Sequence, residues 1–235
     1  MPVDAPLHDA AAGLAAVSAR IRAAETRWGR PPGSVHLLAV SKRQPAAAIA
    51  AAWAAGQAAF GESYVQEAIG KIDALAAHPI DWHFIGRIQR NKTREIAARF
   101  AWVHSLADVQ HALRLGAQRP AGMPPLRCCV QVNLSGEASK AGLTAADLPA
   151  FFDACGGIAG IDVCGLMTLP EPAAELSVQR RPFAALRQLR NQLATPARPL
   201  PVLSMGMSDD LEAAIAEGAT MVRVGTALFG PRAPA

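Results

Sequence analysis

Apolar and polar positions along the chain fall into a repeating beat. Residues 8–28, HDAAAGLAAVSARIRAAETRW, set Leu14, Val17, Ile21 and Ala24 at helical spacing, which predicts an amphipathic opening helix. GRPPG at 29–33 breaks it. The apolar run VHLLAVS then reads as a strand, and PAAAIAAAWAAG at 45–56 as a helix with Pro45 in its first turn and Gly56 as its C-cap. Further strands are expected near 57–61, 80–85, 101–105, 126–133, 160–168, 200–205 and 219–224. Helices are expected near 62–77, 88–99, 107–118, 144–155, 173–194 and 208–217. Eight strands alternating with helices predict an α/β fold, a parallel (β/α)8 TIM-type barrel. A doubly wound open sheet is the alternative, because periodicity alone does not close a sheet. No GxGxxG follows the first strand, which removes the main reason to prefer a dinucleotide fold. No linker interrupts the beat, so residues 1–235 read as one barrel domain with an N-terminal helix.

Composition supports a large core: 51% of the 235 residues are apolar. No run of 18 clean apolar residues predicts a membrane span, and MPVDAPLHDA lacks the layout of a secretory signal. The four cysteines, Cys128, Cys129, Cys155 and Cys164, show no CxxC spacing. They read as reduced, mostly buried thiols of a cytoplasmic protein, with neighbours Cys128 and Cys129 on opposite faces of a strand. No metal site is expected. The net charge is +4, and the one basic run, GRIQRNKTR, reads as a solvated helix face rather than a nucleic-acid surface.

In such barrels the active site is built at the C-terminal ends of the strands. Read in order, those ends carry Lys42; Gly61-Glu62-Ser63; His83 and Gly86; His104-Ser105; Asn133; Met167-Thr168; Ser204-Met205-Gly206; and Arg223 to Thr226. Lys42 directly follows an apolar strand, and burial there disfavours its ammonium form. A neutral amine forms a Schiff base with an aldehyde. Gly225 and Thr226 open a short apolar helical turn, where free backbone N–H groups bind phosphate and glycine admits a close approach. Ser204 offers a further hydroxyl. An aldehyde-capturing lysine facing a phosphate cup describes pyridoxal 5'-phosphate (PLP). An aldolase-type phosphate-binding barrel also pairs a lysine with a phosphate seat.

The stretches AVSKRQP, FGESYVQEA, WHFIGRIQRNK, VHSL, VQVNLSGEASKAGL, GLMTLP and LSMGMSDDLEAAIAEGATMVRVGTALFG decide between them. Together they resemble the YggS/PROSC-type pyridoxal phosphate homeostasis proteins over about residues 35–230. That family is similar to the N-terminal barrel of alanine racemase, a fold-type-III PLP protein. The resemblance implies that Lys42 is the Schiff-base lysine and that Ser204, Gly225 and Thr226 hold the phosphate. It further implies that Arg223 approaches the pyridine nitrogen and that Asn133 and Met167 sit in or near the pocket. Ser63 stands where the family usually carries asparagine.

The resemblance also implies a monomeric, non-catalytic PLP carrier in vitamin B6 homeostasis, with PLP-dependent apo-enzymes as partners. An amino-acid racemase is the rival reading. Racemisation needs a proton acceptor on each face of the substrate α-carbon; His83 and His104 are the candidates for the second face, although both read better as structural histidines, with WHF as strand packing.

Overall fold

The computed structural model describes residues 9–135 and 141–230. Residues 136–140 of VQVNLSGEASKAGL and the first residue of the predicted opening helix, His8, lie outside the described residues. Eight strands alternate with helices: β1 His36–Val40, β2 Ala59–Glu62, β3 Asp81–Phe84, β4 Trp102–Leu106, β5 Leu126–Gln131, β6 Ile161–Met167, β7 Val202–Ser204 and β8 Met221–Val224. They form a closed parallel barrel in sequence order, β8 pairing with β1 from His36 opposite Met221 to Ala39 opposite Val224. The open sheet is thereby excluded. The seam between β7 and β8 is short: Ser204 opposite Met221 is its single register pair.

The helices are α1 Ala10–Arg27, α2 Ala46–Ala54, α3 Val65–Ala74, α4 Thr93–Arg99, α5 Val109–Ala117, α6 Leu148–Cys155, α7 Leu176–Leu193, α8 Leu211–Ala216 and α9 Thr226–Phe229. At two of the boundaries that differ from the sequence expectation, side-chain bonds explain the shift. Gln57 donates its amide to the carbonyls of Leu37 and Ala59, 2.9 and 2.7 Å away, so β2 starts after it and keeps Glu62. The helix expected at 144–155 opens with a 3-10 turn, Ala145–Asp147, held by a capping box between Thr144 and Asp147. The segment expected as a helix at 88–99 likewise opens with a 3-10 turn, Arg90–Lys92; Arg87, Arg90 and Arg94 of the basic run are exposed.

Successive strand residues face opposite ways, and the two sides differ in chemistry. Outward residues such as Ala39, Phe60, Phe84, Val103, Cys128, Val130, Leu166, Leu203 and Val222 pack with the helices into one large apolar cluster. Cys129 belongs instead to a small interior cluster with Trp102 and Met167, so the two adjacent cysteines do face opposite sides. All four cysteines are free thiols, and burial pushes Cys128 and Cys129 well above the ordinary thiol value. The interior also holds polar groups: His83, His104, Ser204 and Arg223 are each at most 4% exposed. Barrels of this kind usually fill that space with branched apolar layers.

Helix α1 closes the ring against α8 and α9. Its Asp9 cap accepts from the amides of Ala11 and Ala12. Gly13 allows the close approach, because a Cβ there would lie 2.2 Å from the Leu228 carbonyl oxygen. Among the described residues no helix is long and apolar enough to cross a membrane.

Candidate functional site

The ends of β1, β6 and β8 and the loop after β7 enclose a cavity of about 450 Å³, a size usual for small-molecule sites. Lys42, Met167, Arg223, Gly225 and Thr226, five of the residues singled out in the sequence, line it. Its walls include apolar Val40, Ile85 and Leu169, while Arg20, Lys42 and Arg223 give it a cationic lining against one carboxylate, Asp209. Groups with a flat apolar body and an anionic end suit such a space.

Lys42 is half-buried in the turn between β1 and α2, not on the strand itself. That turn is fixed from behind. Lys71 of α3 is buried, and its ammonium donates to the Ser41 carbonyl (2.8 Å), to Glu62 (2.8 Å) and to Glu67 (2.5 Å). The Ser41 hydroxyl donates to Glu62 at 2.6 Å, and the Arg43 amide to Glu67 at 2.5 Å. Arg43 sits at φ +61°, a left-handed conformation costly for a residue with a Cβ. These bonds hold that conformation. Glu62 therefore serves the turn, with burial raising its carboxyl above the ordinary value against the pull of Lys71 and Ser41.

Gly225 has a second reason to be glycine. A Cβ there would lie 3.1 Å from the Val40 carbonyl oxygen, so the β8–α9 turn packs directly on β1. Thr226 begins α9, and the Ala227 amide donates to the Ser208 hydroxyl at 3.4 Å.

Ser204 is placed beneath Arg223. It is fully buried and does not line the cavity. Its side chain lies inside the barrel, where its Oγ accepts from Arg223 Nη1 at 2.8 Å and lies 2.8 Å from His104 Nδ1. Ser208, four residues on, supplies the hydroxyl at the cavity. Asn133 is also placed elsewhere. It lines an adjoining cleft of about 310 Å³ with Gln131, Thr168 and Arg181, and Leu169 borders both spaces. Its Oδ1 accepts from the amide and hydroxyl of Ser135. Ser63 and Tyr64 line a third, smaller cavity beside Phe84 and Arg87. His83 and His104 lie below Arg223 and do not line the main cavity.

Arg223 joins cavity and interior. Besides Ser204 it bonds the Thr168 carbonyl through Nη2 at 2.8 Å. Burial lowers its pKa to about 10, partly opposed by Asp210, so it stays a cation at neutral pH.

The sequence reading missed Arg20, Ser208 and Asp209 at this cavity. Arg20 reaches it from α1, pairing with Glu212 at 2.9 Å and donating to the Ser208 carbonyl at 2.9 Å. A helix nearly 200 residues away in sequence gives no local signal of this role.

Known proteins match nearly the whole chain. The family model for the alanine racemase N-terminal domain matches residues 13–233. The pyridoxal phosphate homeostasis protein of Pseudomonas aeruginosa is 56% identical over 222 residues, covering 94% of this chain and 95% of that one. The Escherichia coli K12 protein of the same name is 46% identical, covering 96% and 98%. The structure of PipY from Synechococcus elongatus with PLP bound superposes with a TM-score of 0.81 at 38% identity, over 94% of this chain and all of that one. Alanine racemase from Corynebacterium glutamicum shares the fold, with a TM-score of 0.67 at 19% identity, and this chain covers 62% of it. The chain thus belongs to the pyridoxal phosphate homeostasis protein family, built on the alanine racemase N-terminal barrel.

Proposed function

We propose that this protein binds PLP reversibly in the β1/β8 cavity and serves vitamin B6 homeostasis as a carrier without turnover. The observation that carries the reading is the meeting of Lys42 and the Gly225–Thr226 turn in one cationic cavity with Arg223 in its wall. The chemistry of PLP fits these residues. The Lys42 amine lines the cavity and would hold the aldehyde carbon that PLP supplies. The Ser208 and Thr226 hydroxyls and the backbone N–H groups of the α9 turn hold the phosphate, with Arg20 adding charge. Met167, in the cavity wall, would pack against a bound ring. PLP, when bound, would supply an electron sink; Arg223, which remains protonated, would donate toward a ring nitrogen and keep that sink weak.

Among the described residues no tyrosine or histidine lines the cavity opposite Lys42, which supports a carrier. Lys42 serves one face. The chain's single tyrosine, Tyr64, lines a different cavity, and both interior histidines lie beneath Arg223. One chain carries every group named here, which is why we favour a monomer that hands PLP to apo-enzymes.

The test is covalent. Purified protein loaded with PLP and treated with borohydride should carry the reduced cofactor on the Lys42 peptide. A label on another lysine, or no label, overturns the assignment. Lys42→Ala should keep weak, non-covalent PLP binding, because the phosphate is held separately.

A further inference from the structure

The barrel interior holds an unbroken polar chain. Arg223 Nη1 meets Ser204 Oγ at 2.8 Å, Ser204 Oγ meets His104 Nδ1 at 2.8 Å, His104 Nε2 meets His83 Nδ1 at 2.9 Å, and His83 Nε2 meets Asp81 Oδ2 at 3.2 Å. The members come from β8, β7, β4 and β3. Strands β4 and β7 are not neighbours, so the Ser204–His104 bond crosses the lumen. The chain starts at the cavity wall and ends at Asp81, at the N-terminal start of β3, whose side chain is 44% exposed.

The two ends and the neutral imidazoles between them set the direction of the bonds. The Arg223 guanidinium only donates and the Asp81 carboxylate only accepts, so with both buried imidazoles neutral the Ser204 oxygen accepts from Arg223 and gives its own proton to His104 Nδ1. That nitrogen is then an acceptor, and His104 is a neutral imidazole with its proton on Nε2. The proton is given to His83 Nδ1, which makes His83 the same tautomer, donating from Nε2 to the Asp81 carboxylate. Burial agrees: it holds both imidazoles below their ordinary value, His104 well below. Trp102 stacks on His83 with ring centroids 5.2 Å apart, and Arg127 lies over the Trp102 ring at 5.0 Å, fixing the far end.

We propose that Asp81, His83, His104 and Ser204 are positioning residues of the cofactor site, a one-way hydrogen-bond chain that holds Arg223 charged and aimed at the cavity. Aligned dipoles between a buried cation and a carboxylate stabilise the cation more than separate bonds would. Reversing the chain would carry a proton from Arg223 through Ser204 and both histidines to Asp81. That leaves a neutral guanidine and a protonated carboxyl, opposite to both groups' preferences, because Asp81 lies below the ordinary carboxylate range: burial would raise it, but the His83 and Trp102 bonds outweigh burial. The role in PLP binding rests on the carrier reading above; the direction of the chain does not.

The experiment therefore has two arms. In the apo-protein labelled with 15N-histidine, two-bond correlations should show His83 and His104 neutral and protonated on Nε2 at neutral pH. An imidazolium, or an Nδ1–H tautomer at either, overturns the chain. In Ser204→Ala, His104 Nδ1 loses its donor and an Nδ1–H population should appear; Ser204→Thr should restore the original tautomer. An unchanged His104 signal in Ser204→Ala also overturns the proposal. The cofactor arm measures PLP dissociation, expected to be about tenfold weaker in Ser204→Ala, with Lys42 still labelled by borohydride and recovery in Ser204→Thr. Unchanged dissociation refutes the positioning role even if the tautomers agree. Loss of Lys42 labelling in the wild type refutes the carrier reading alone, since the tautomer arm needs no cofactor.

Discussion

Lys71 and Glu62 form a buried ion pair of 2.8 Å directly behind the turn that presents Lys42. The same ammonium bonds the Ser41 carbonyl, one residue before Lys42. A lysine facing the cavity is thus held by a second lysine outside the barrel. Removing one partner of such a pair leaves an uncompensated charge. Lys71→Met should lower folding stability by roughly 3–5 kcal/mol, read from urea midpoints. PLP binding should weaken as well, because the Lys42 turn loses its anchor. Unchanged PLP dissociation in a folded Lys71→Met protein would mean that the turn holds itself.

Arg20 and Ser208 test the phosphate end better than Gly225. A side chain at Gly225 meets Val40, so its effect mixes folding with binding. Arg20→Ala should weaken PLP about fivefold to thirtyfold, the range of roughly 1–2 kcal/mol, while leaving binding of unphosphorylated pyridoxal nearly unchanged. Competition between the two ligands measures the difference. Equal losses would place the phosphate elsewhere.

Stability should fall on acidification below neutrality. The buried His83 and His104 stand below the ordinary imidazole value of 6.5. As pH drops through 6.5 the unfolded chain binds protons that the folded barrel refuses, so the unfolded state gains. Glu62 acts the other way. Its raised carboxyl lets the folded chain keep a proton in the window just above 4.5, where the unfolded chain has released it. The step from pH 7 to pH 5.5 brackets the ordinary imidazole value of 6.5 and stays above the ordinary carboxyl value of 4.5, so the imidazoles set its sign. Urea midpoints at pH 7 and pH 5.5 should show the drop, and His104→Gln should make it shallower. An equal drop in the variant would trace it to other groups.

Turnover should be absent. Loaded protein incubated with L-alanine or L-serine should racemise them no faster than free PLP at the same concentration. Each tenfold excess over that baseline would correspond to about 1.4 kcal/mol of transition-state stabilisation. Fast racemisation abolished by His104→Gln would instead make the protein an enzyme.

The barrel was legible because each strand is a short apolar run bounded by turn residues, and the beat recurs along the chain. Lys42, Met167, Arg223, Gly225 and Thr226 were legible because strand ends mark the rim of such a fold. Ser204 was singled out for the same reason. It is the last residue of β7, but position along a strand does not tell depth, and its side chain lies below the rim. The clamp was half visible: Glu67 and Lys71 are spaced as a helical i,i+4 pair, but nothing local tied either to Glu62 or Ser41. Arg20 and the polar interior depend on contacts between residues about 20 to 190 positions apart.

The short β7–β8 seam gives the cavity a mechanical meaning. Met207, Ser208 and Asp209 follow one stave of the barrel, Gly225 and Thr226 the next, and the two staves share a single register pair. A molecule seated there would act as a clasp across the seam with the fewest register pairs in the ring. The empty protein should breathe at this joint, exchanging the amides of Met205 and Thr220 faster than those along the longer β1–β8 edge, and the loaded protein should hold it shut.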